Sequence, residues 1–143
     1  GSEIKTFHVR DGFGMRQLQK AGVKIGIITA RSSKALLRRA QDLSITHIHQ
    51  GIRNKVEAYE EIRNSLKLEP SEVAFMGDDW IDLPLLKKAG FSAAVADAMP
   101  EVKKAVDYVT SMPGGRGAVR EVCDLIVEAK GMYDTFLRSY IEP

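Results

Sequence analysis

The stretch FMGDDWIDLP places Asp78, Asp79 and Asp82 within five residues, directly after an apolar run that ends at Gly77. Three carboxylates this close cannot all be buried and ionised without a compensating cation. A hard divalent ion with oxygen ligands is the simplest compensation, and Mg²⁺ takes one or two carboxylates while keeping several waters. An aspartate that caps the following helix accounts for one of the three. It accounts poorly for the cluster.

Other residues carry chemistry of the complementary sign. Thr29 ends the run GIIT, where its hydroxyl and the N–H groups of the next turn could hold a phosphate. Taken alone, Thr29 reads as a plain strand terminus. Arg31 follows in TAR, able to fork onto a carboxylate or phosphate, or simply to lie at the surface. Lys55 opens a helix in RNKVEAY, against the helix dipole, so it needs either an anionic ligand or the aspartate cluster as partner.

These residues must be positioned by elements, and the hydrophobic pattern supplies them. Strands are expected at Lys24–Thr29, Thr46–Gln50, Glu72–Gly77, Phe91–Ala96 and Asp107–Thr110. The first of these is β-branched enough to be buried on both faces. Helices are expected at Ser33–Leu43 with Ser33 as N-cap, Lys55–Leu66, Asp82–Gly90 with Gly90 at its end, Pro100–Val106 and Ala118–Gly131. Ahead of them, Glu3–Val9 alternates like a half-exposed strand and Gly14–Gly22 reads as one more helix. Alternation of this kind implies right-handed βαβ units and a mostly parallel sheet. Ligands of such sheets bind beyond the carboxyl ends of the strands, where Thr29, Gly77 and Asp78 fall.

Composition narrows the class. The chain has 143 residues, 44% hydrophobic and 28% charged, as expected of one soluble globular domain. A net charge of +2 without a Lys/Arg cluster gives no reason to expect a nucleic-acid partner. No apolar run reaches membrane-spanning length, and the single cysteine, Cys123, permits no internal disulfide and agrees with a cytoplasmic location. Cys123 lies on an apolar helix face and reads as packing. His47 and His49 share one face of a strand but have no third ligand at useful spacing, so sheet packing is the simpler reading. His8 reads as structural. Trp80 and Phe13 could contact a substrate or close a hydrophobic lid.

GIIT, NK and GDDWID, in that order and spacing, resemble the second, third and fourth motifs of the haloacid dehalogenase superfamily of phosphohydrolases. FHVRDGFG and GGRGAVREVCDLI, from Phe7–Gly14 and Gly114–Ile126, are similar to the cap-less 3-deoxy-D-manno-octulosonate 8-phosphate phosphatase subfamily. The likeness spans practically the whole chain. It implies a Rossmann-like α/β domain over residues 1–143, with an N-terminal hairpin arm at Glu3–Val9 and a Gly-rich segment, helix and tail over 111–143. The implied activity is Mg²⁺-dependent hydrolysis of a small-molecule sugar-acid phosphate. Asp78 would be the metal ligand, and Asp79 and Asp82 would orient the metal's waters and Lys55. Lys55 would neutralise the phosphoryl group and Thr29 would hydrogen-bond it. Arg10, Arg31 and Arg116 would contact substrate, Arg116 as a mobile anion-binding residue over a neighbouring site in a homotetramer.

One family motif is missing. The first motif, a DxD that supplies the nucleophilic aspartate, occurs nowhere in the chain, and Asp11 in RDG corresponds to a different family position. Without that aspartate no aspartyl-phosphate can form. The expectation is therefore that a functional molecule includes an N-terminal segment carrying it. The chain alone would be inactive and poorly folded, with two strand edges unpaired inside the fold. Two alternatives stand beside the eight-carbon substrate: a related nine-carbon sialic-type acid 9-phosphate, and a non-catalytic phosphatase-like oligomerisation module.

Overall fold

Strands and helices alternate along nearly the whole chain in a computed structural model that describes residues 8–142. In chain order the elements are α1 (Val9–Lys20), β1 (Gly26–Ile28), α2 (Lys34–Asp42), β2 (His47–His49), α3 (Lys55–Ser65) and β3 (Ala74–Gly77). They continue as α4 (Leu83–Lys88), β4 (Phe91–Ala94), α5 (Pro100–Ala105), β5 (Tyr108–Val109), α6 (Ala118–Ala129) and α7 (Tyr133–Ile141). Single 3₁₀ turns at Pro70–Glu72 and Trp80–Asp82 bracket β3.

All strand pairs are parallel, as βαβ connections require. β1 pairs with β2, with Gly26 opposite His47 and Ile28 opposite His49. Separately, β3 pairs with β4 and β4 with β5. Among the described residues no backbone hydrogen bond joins β1 to β3, so the parallel strands form two groups. This corrects the expectation that the first strand is buried on both faces. Gly26 is exposed and Ile27 and Ile28 only half-buried, with Ile28 lining a cleft.

Three apolar clusters hold the layers together. Leu18 and Ala21 of α1 pack on Cys123 and Val127 of α6, with Phe136 of α7 against them. Ala40 and Leu43 of α2 meet Ile45, and Ile27 and Ile48 of β1 and β2. Leu86, Ala94, Ala98 and Val102 form the third cluster, between α4, α5 and the strand group of β3, with Phe75 beside them. Met15 and Ile25 belong to the first two clusters at once, which ties α1 and α6 to the β1–β2 pair.

Local rules explain several boundaries. The Ser33 hydroxyl accepts from Leu36 N–H at 3.1 Å and starts α2, and Asn54 Oδ1 accepts from Glu57 N–H at 3.1 Å and starts α3. Gly90 ends α4 for a reason other than a left-handed cap: a Cβ there would stand 2.6 Å from the Pro70 carbonyl oxygen, so only glycine lets the two chain segments meet.

Other expectations change. The RDGFG stretch lies inside α1, which begins at Val9 rather than Gly14. Asp11 is buried there, and its Oδ1 accepts the Arg120 N–H at 2.9 Å, which satisfies an otherwise open donor in the first turn of α6. The expected strand at Glu3–Val9 overlaps this helix at Val9 and its N-cap at His8, and residues 3–7, with the rest of the hairpin arm, lie outside the described residues. The tail after Gly131 forms a helix, α7, whose Tyr140 hydroxyl accepts from Gln17 Nε2 at 2.9 Å. Phe13 packs against the Tyr140 ring, 5.5 Å between centroids, and the Arg120 guanidinium lies over it at 4.8 Å. It packs at the α1–α6–α7 junction.

Candidate active site

The end of β3 is built around one buried carboxylate. Asp82 is 3% exposed, and its Oδ2 accepts the N–H groups of Asp78 at 2.9 Å and Asp79 at 3.2 Å. Its Oδ1 accepts from Lys55 Nζ at 2.6 Å, bringing the start of α3 to the end of β3. Gly77 is what makes this fit, since a Cβ there would lie 2.6 Å from the Asp82 Cβ. Burial pushes the Asp82 carboxyl upward, but the Lys55 bond and the two backbone N–H groups outweigh it and hold the group below its ordinary value. The partner required by a lysine at a helix N-terminus is thus an aspartate of the cluster.

The other two aspartates divide the remaining work. Asp79 is the capping residue of the 3₁₀ turn, its Oδ1 accepting the Trp80 N–H at 2.7 Å in a reciprocal box with Asp82. Asp78 keeps its backbone tied down, its N–H to Asp82 and its carbonyl to the Met99 N–H at 2.9 Å. Its carboxyl is raised above the usual range, first by burial, then by the hydrogen bond and charge of Asp82 and the charge of Asp79, with Lys55 opposing. A carboxyl in that position gains most from a cation. Among the described residues no group of three or more His, Cys, Asp or Glu side chains is arranged to hold a metal unaided. A hydrated Mg²⁺ needs only one or two protein carboxylates, and the raised Asp78 carboxyl is the one in the cluster that a cation would relieve.

These residues line a cleft of about 520 Å³ between the two strand groups. Ile28 of β1, Lys55, Asp78, Asp79 and Asp82 face it, with Asp97, Gly114 and Gly115 on the far wall. Thr29 and Arg31 stand just beyond the end of β1, where Thr29 Oγ1 accepts the Arg31 N–H at 3.2 Å and the Thr29 carbonyl accepts from Ile52 N–H at 3.0 Å. Neither lines the cleft. Arg116 also stands off it, next to the lining glycines, and Arg10 is exposed on the first turn of α1. The structure therefore brings Lys55 and the three aspartates together and leaves the three arginines apart. Trp80, 58% exposed, donates its indole N–H to Glu101 Oε2 at 3.2 Å on the rim.

The Gly114–Gly115 backbone lines the cleft, as a glycine-rich stretch able to approach a ligand closely should, whereas Asp97 is a lining residue not picked out from the sequence. The signal was available in VADAMP, where an aspartate follows the carboxyl end of a parallel strand, as Asp78 does. His47 and His49 lie half-buried in β2 opposite β1, in the packing role expected of them. Burial of Cys123 pushes its thiol up to about 12, which removes it from nucleophilic chemistry.

An α/β domain with clustered carboxylates at one parallel strand end and a lysine reaching them from the next helix defines a phosphohydrolase-type site. The family model for haloacid dehalogenase-like hydrolases matches residues 44–121. A 3-deoxy-D-manno-octulosonate 8-phosphate phosphatase of Escherichia coli K12 is 47% identical over 134 residues, 94% of this chain and 71% of that protein. The crystal structure of the Yersinia pestis phosphatase of the same name superposes with a TM-score of 0.92 at 48% identity, over 94% of this chain and 72% of that one. The Moraxella catarrhalis phosphatase, solved in complex with magnesium ion, phosphate ion and KDO molecule, gives a TM-score of 0.96 at 41% identity, over 98% and 80% of the two chains. The chain belongs to the haloacid dehalogenase-like hydrolases, within the 3-deoxy-D-manno-octulosonate 8-phosphate phosphatase family.

Proposed function

We propose that the protein performs the Mg²⁺-dependent hydrolysis of 3-deoxy-D-manno-octulosonate 8-phosphate to the free sugar acid and phosphate, a step toward lipopolysaccharide precursors. The observation that carries this is the Lys55–Asp82 bridge at 2.6 Å, which fixes a phosphate-neutralising ammonium beside the open carboxylate of Asp78. Mg²⁺ held by Asp78 supplies positive charge to the phosphoryl oxygens when bound. Lys55 adds a second positive charge, and Asp82 keeps its ammonium in place without reorganisation during reaction. Asp79 fixes the turn from which Asp78 projects. Thr29, one residue beyond the cleft-lining Ile28, would donate its hydroxyl to a phosphoryl group at the mouth of the cleft while its oxygen keeps the Arg31 N–H. Arg31, Arg116 and Arg10 meet the sugar-acid part of the ligand, Arg116 after movement of its Gly-rich segment. The resemblance to the cap-less phosphatase subfamily supports a cytoplasmic homotetramer as the working form.

The nucleophile is supplied by a family DxD strand, a pair absent from these 143 residues. The decisive experiment therefore measures phosphate release by the chain extended at its N-terminus with such a strand. Release should depend on Mg²⁺, stop with EDTA, and favour the eight-carbon acid 8-phosphate over the nine-carbon acid 9-phosphate by about tenfold or more in kcat/KM. A reversed preference would assign the nine-carbon substrate. No Mg²⁺-dependent release from either would mean a non-catalytic assembly module.

A further inference from the structure

We propose that Asp97 is a positioning residue that holds the Gly-rich segment against the cleft, and so sets how tightly the site keeps a phosphorylated ligand; this rests on the phosphatase reading above. Asp97 follows β4 in the loop leading to α5, and its Oδ1 accepts the Gly114 N–H at 2.8 Å. Both partners line the cleft that contains Lys55 and Asp78.

The chain on either side of the segment is fixed. Thr110 is 3% exposed, and its Oγ1 accepts the Ala96 N–H at 3.1 Å and donates to the Met112 carbonyl at 2.6 Å. The Glu121 carboxylate accepts the N–H groups of Ser111 and Met112 at 2.9 and 3.1 Å. On the far side, Gly117 caps α6 in a left-handed conformation, φ +108°, and Asp11 holds the Arg120 N–H. Between these anchors Gly115 also turns at positive φ, +71°, and the Arg116 N–H bonds only back to the Pro113 carbonyl, at 3.2 Å. Among the described residues, Asp97 provides the one side-chain hydrogen bond from outside to residues 113–116.

A backbone so rich in glycine has many conformations to lose, and a single side-chain acceptor on its N–H restricts it. A carboxylate facing a phosphate cleft would itself repel the ligand. Its use here is to take up an N–H and hold the opposite wall in place, with Arg116 two residues beyond the contact. The bond needs an acceptor, not a charge. That separates Asp97 from Asp78, where the charge is the function.

The test compares the chain, extended at its N-terminus with a DxD strand, with its Asp97→Ala and Asp97→Asn variants, both substitutions falling on an exposed loop. Binding of inorganic phosphate in the presence of Mg²⁺ is followed by ³¹P NMR, amide hydrogen exchange at Gly114 and Gly115 by ¹⁵N NMR, and Tm by calorimetry. Asp97→Ala should weaken phosphate binding about threefold to tenfold and speed Gly114 exchange by a similar factor, with little change in Tm. Asp97→Asn keeps an acceptor oxygen and should restore both to near the original values. Weaker phosphate binding with unchanged Gly114 exchange would make Asp97 a direct ligand contact and overturn the positioning role. An asparagine variant as impaired as alanine would overturn it too, since the charge would then be what matters. If the unaltered extended chain binds no phosphate, the phosphatase reading fails, and Gly114 exchange alone decides whether Asp97 anchors the segment.

Discussion

Asp78 and Asp82 are four residues apart and have opposite electrostatic fates. Asp82 is buried with a lysine and two N–H donors, so it stays ionised; Asp78 is left with like charges nearby and its carboxyl is raised. Asp78→Asn should therefore abolish Mg²⁺ binding and Mg²⁺-dependent turnover while leaving Tm unchanged or slightly higher, because a like charge is removed. Isothermal titration with Mg²⁺ and a thermal melt check this. Since a cation binds the ionised carboxylate, Mg²⁺ affinity should fall as pH drops through the raised value of Asp78, above the ordinary 3.8, and titrations at several pH values would show the slope. Lys55→Ala should behave differently from Asp78→Asn. It removes the phosphate's neutralising charge and strands a buried carboxylate, so phosphate binding and stability should fall together, the latter by about 3 kcal/mol or more. A variant that lost stability but kept phosphate affinity would make Lys55 purely structural.

Helix packing decides what the flanking motifs contribute. Gly14 sits where α1 crosses α6, and a Cβ there would lie 2.8 Å from Arg120 Cδ and 3.1 Å from the Arg120 Cα. Gly14→Ala should push the helices apart and cost about 1–3 kcal/mol, read from a urea melt. At the other end of the sheet, Glu121 clasps Tyr108 and the Ser111–Met112 turn. Burial raises its carboxyl, yet the Tyr108 hydroxyl and the two backbone N–H groups win and hold it below the ordinary 4.5. A depressed folded value means the clasp stabilises fully above 4.5 and loses its effect as pH falls through the lower, folded value. The Tm difference between the protein and Glu121→Gln should accordingly be largest near neutrality and vanish in acid. A difference independent of pH would remove Glu121's charge from the explanation.

At the scale of the whole molecule, the cleft between the two strand groups collects groups from β1, α3, β3, the loop after β4 and the Gly-rich segment. No single element makes the site. Arg116 belongs to this scale, since it stands beside the cleft and contacts substrate only if its segment moves across the cleft or onto a neighbouring subunit's. Arg116→Ala, in the chain extended with a DxD strand, should reduce kcat/KM for the sugar-acid phosphate more than for a small aryl phosphate. A guanidinium fork recognises a particular anion, whereas the cation and Lys55 handle any phosphate. Light scattering should show the same assembly before and after. Equal losses on both substrates would make Arg116 a phosphate ligand, and no loss on either would leave the segment a turn before α6.

The alternation of apolar runs, the Ser33 cap and the GDDWID cluster were legible in the sequence because each depends on residues close in the chain. Local spacing determined the parallel α/β class and predicted that charge at Asp78, Asp79 and Asp82 needs an opposing cation. What local spacing could not express is contact over distance. RDGFG falls between the expected strand and helix, yet it lies inside α1, where Gly14 lets α6 approach and Asp11 satisfies an N–H 109 residues away. The contact of Asp97 with Gly114, 17 residues away, is of the same kind. The open edge of β1 was likewise invisible, since Ile27 and Ile28 are apolar enough for a fully covered strand. Sequence assigned the chemistry to residue types; only the tertiary structure decided that Lys55 spends its charge on Asp82 and leaves Asp78 open, because that choice is made by burial and by which N–H groups point at which oxygen.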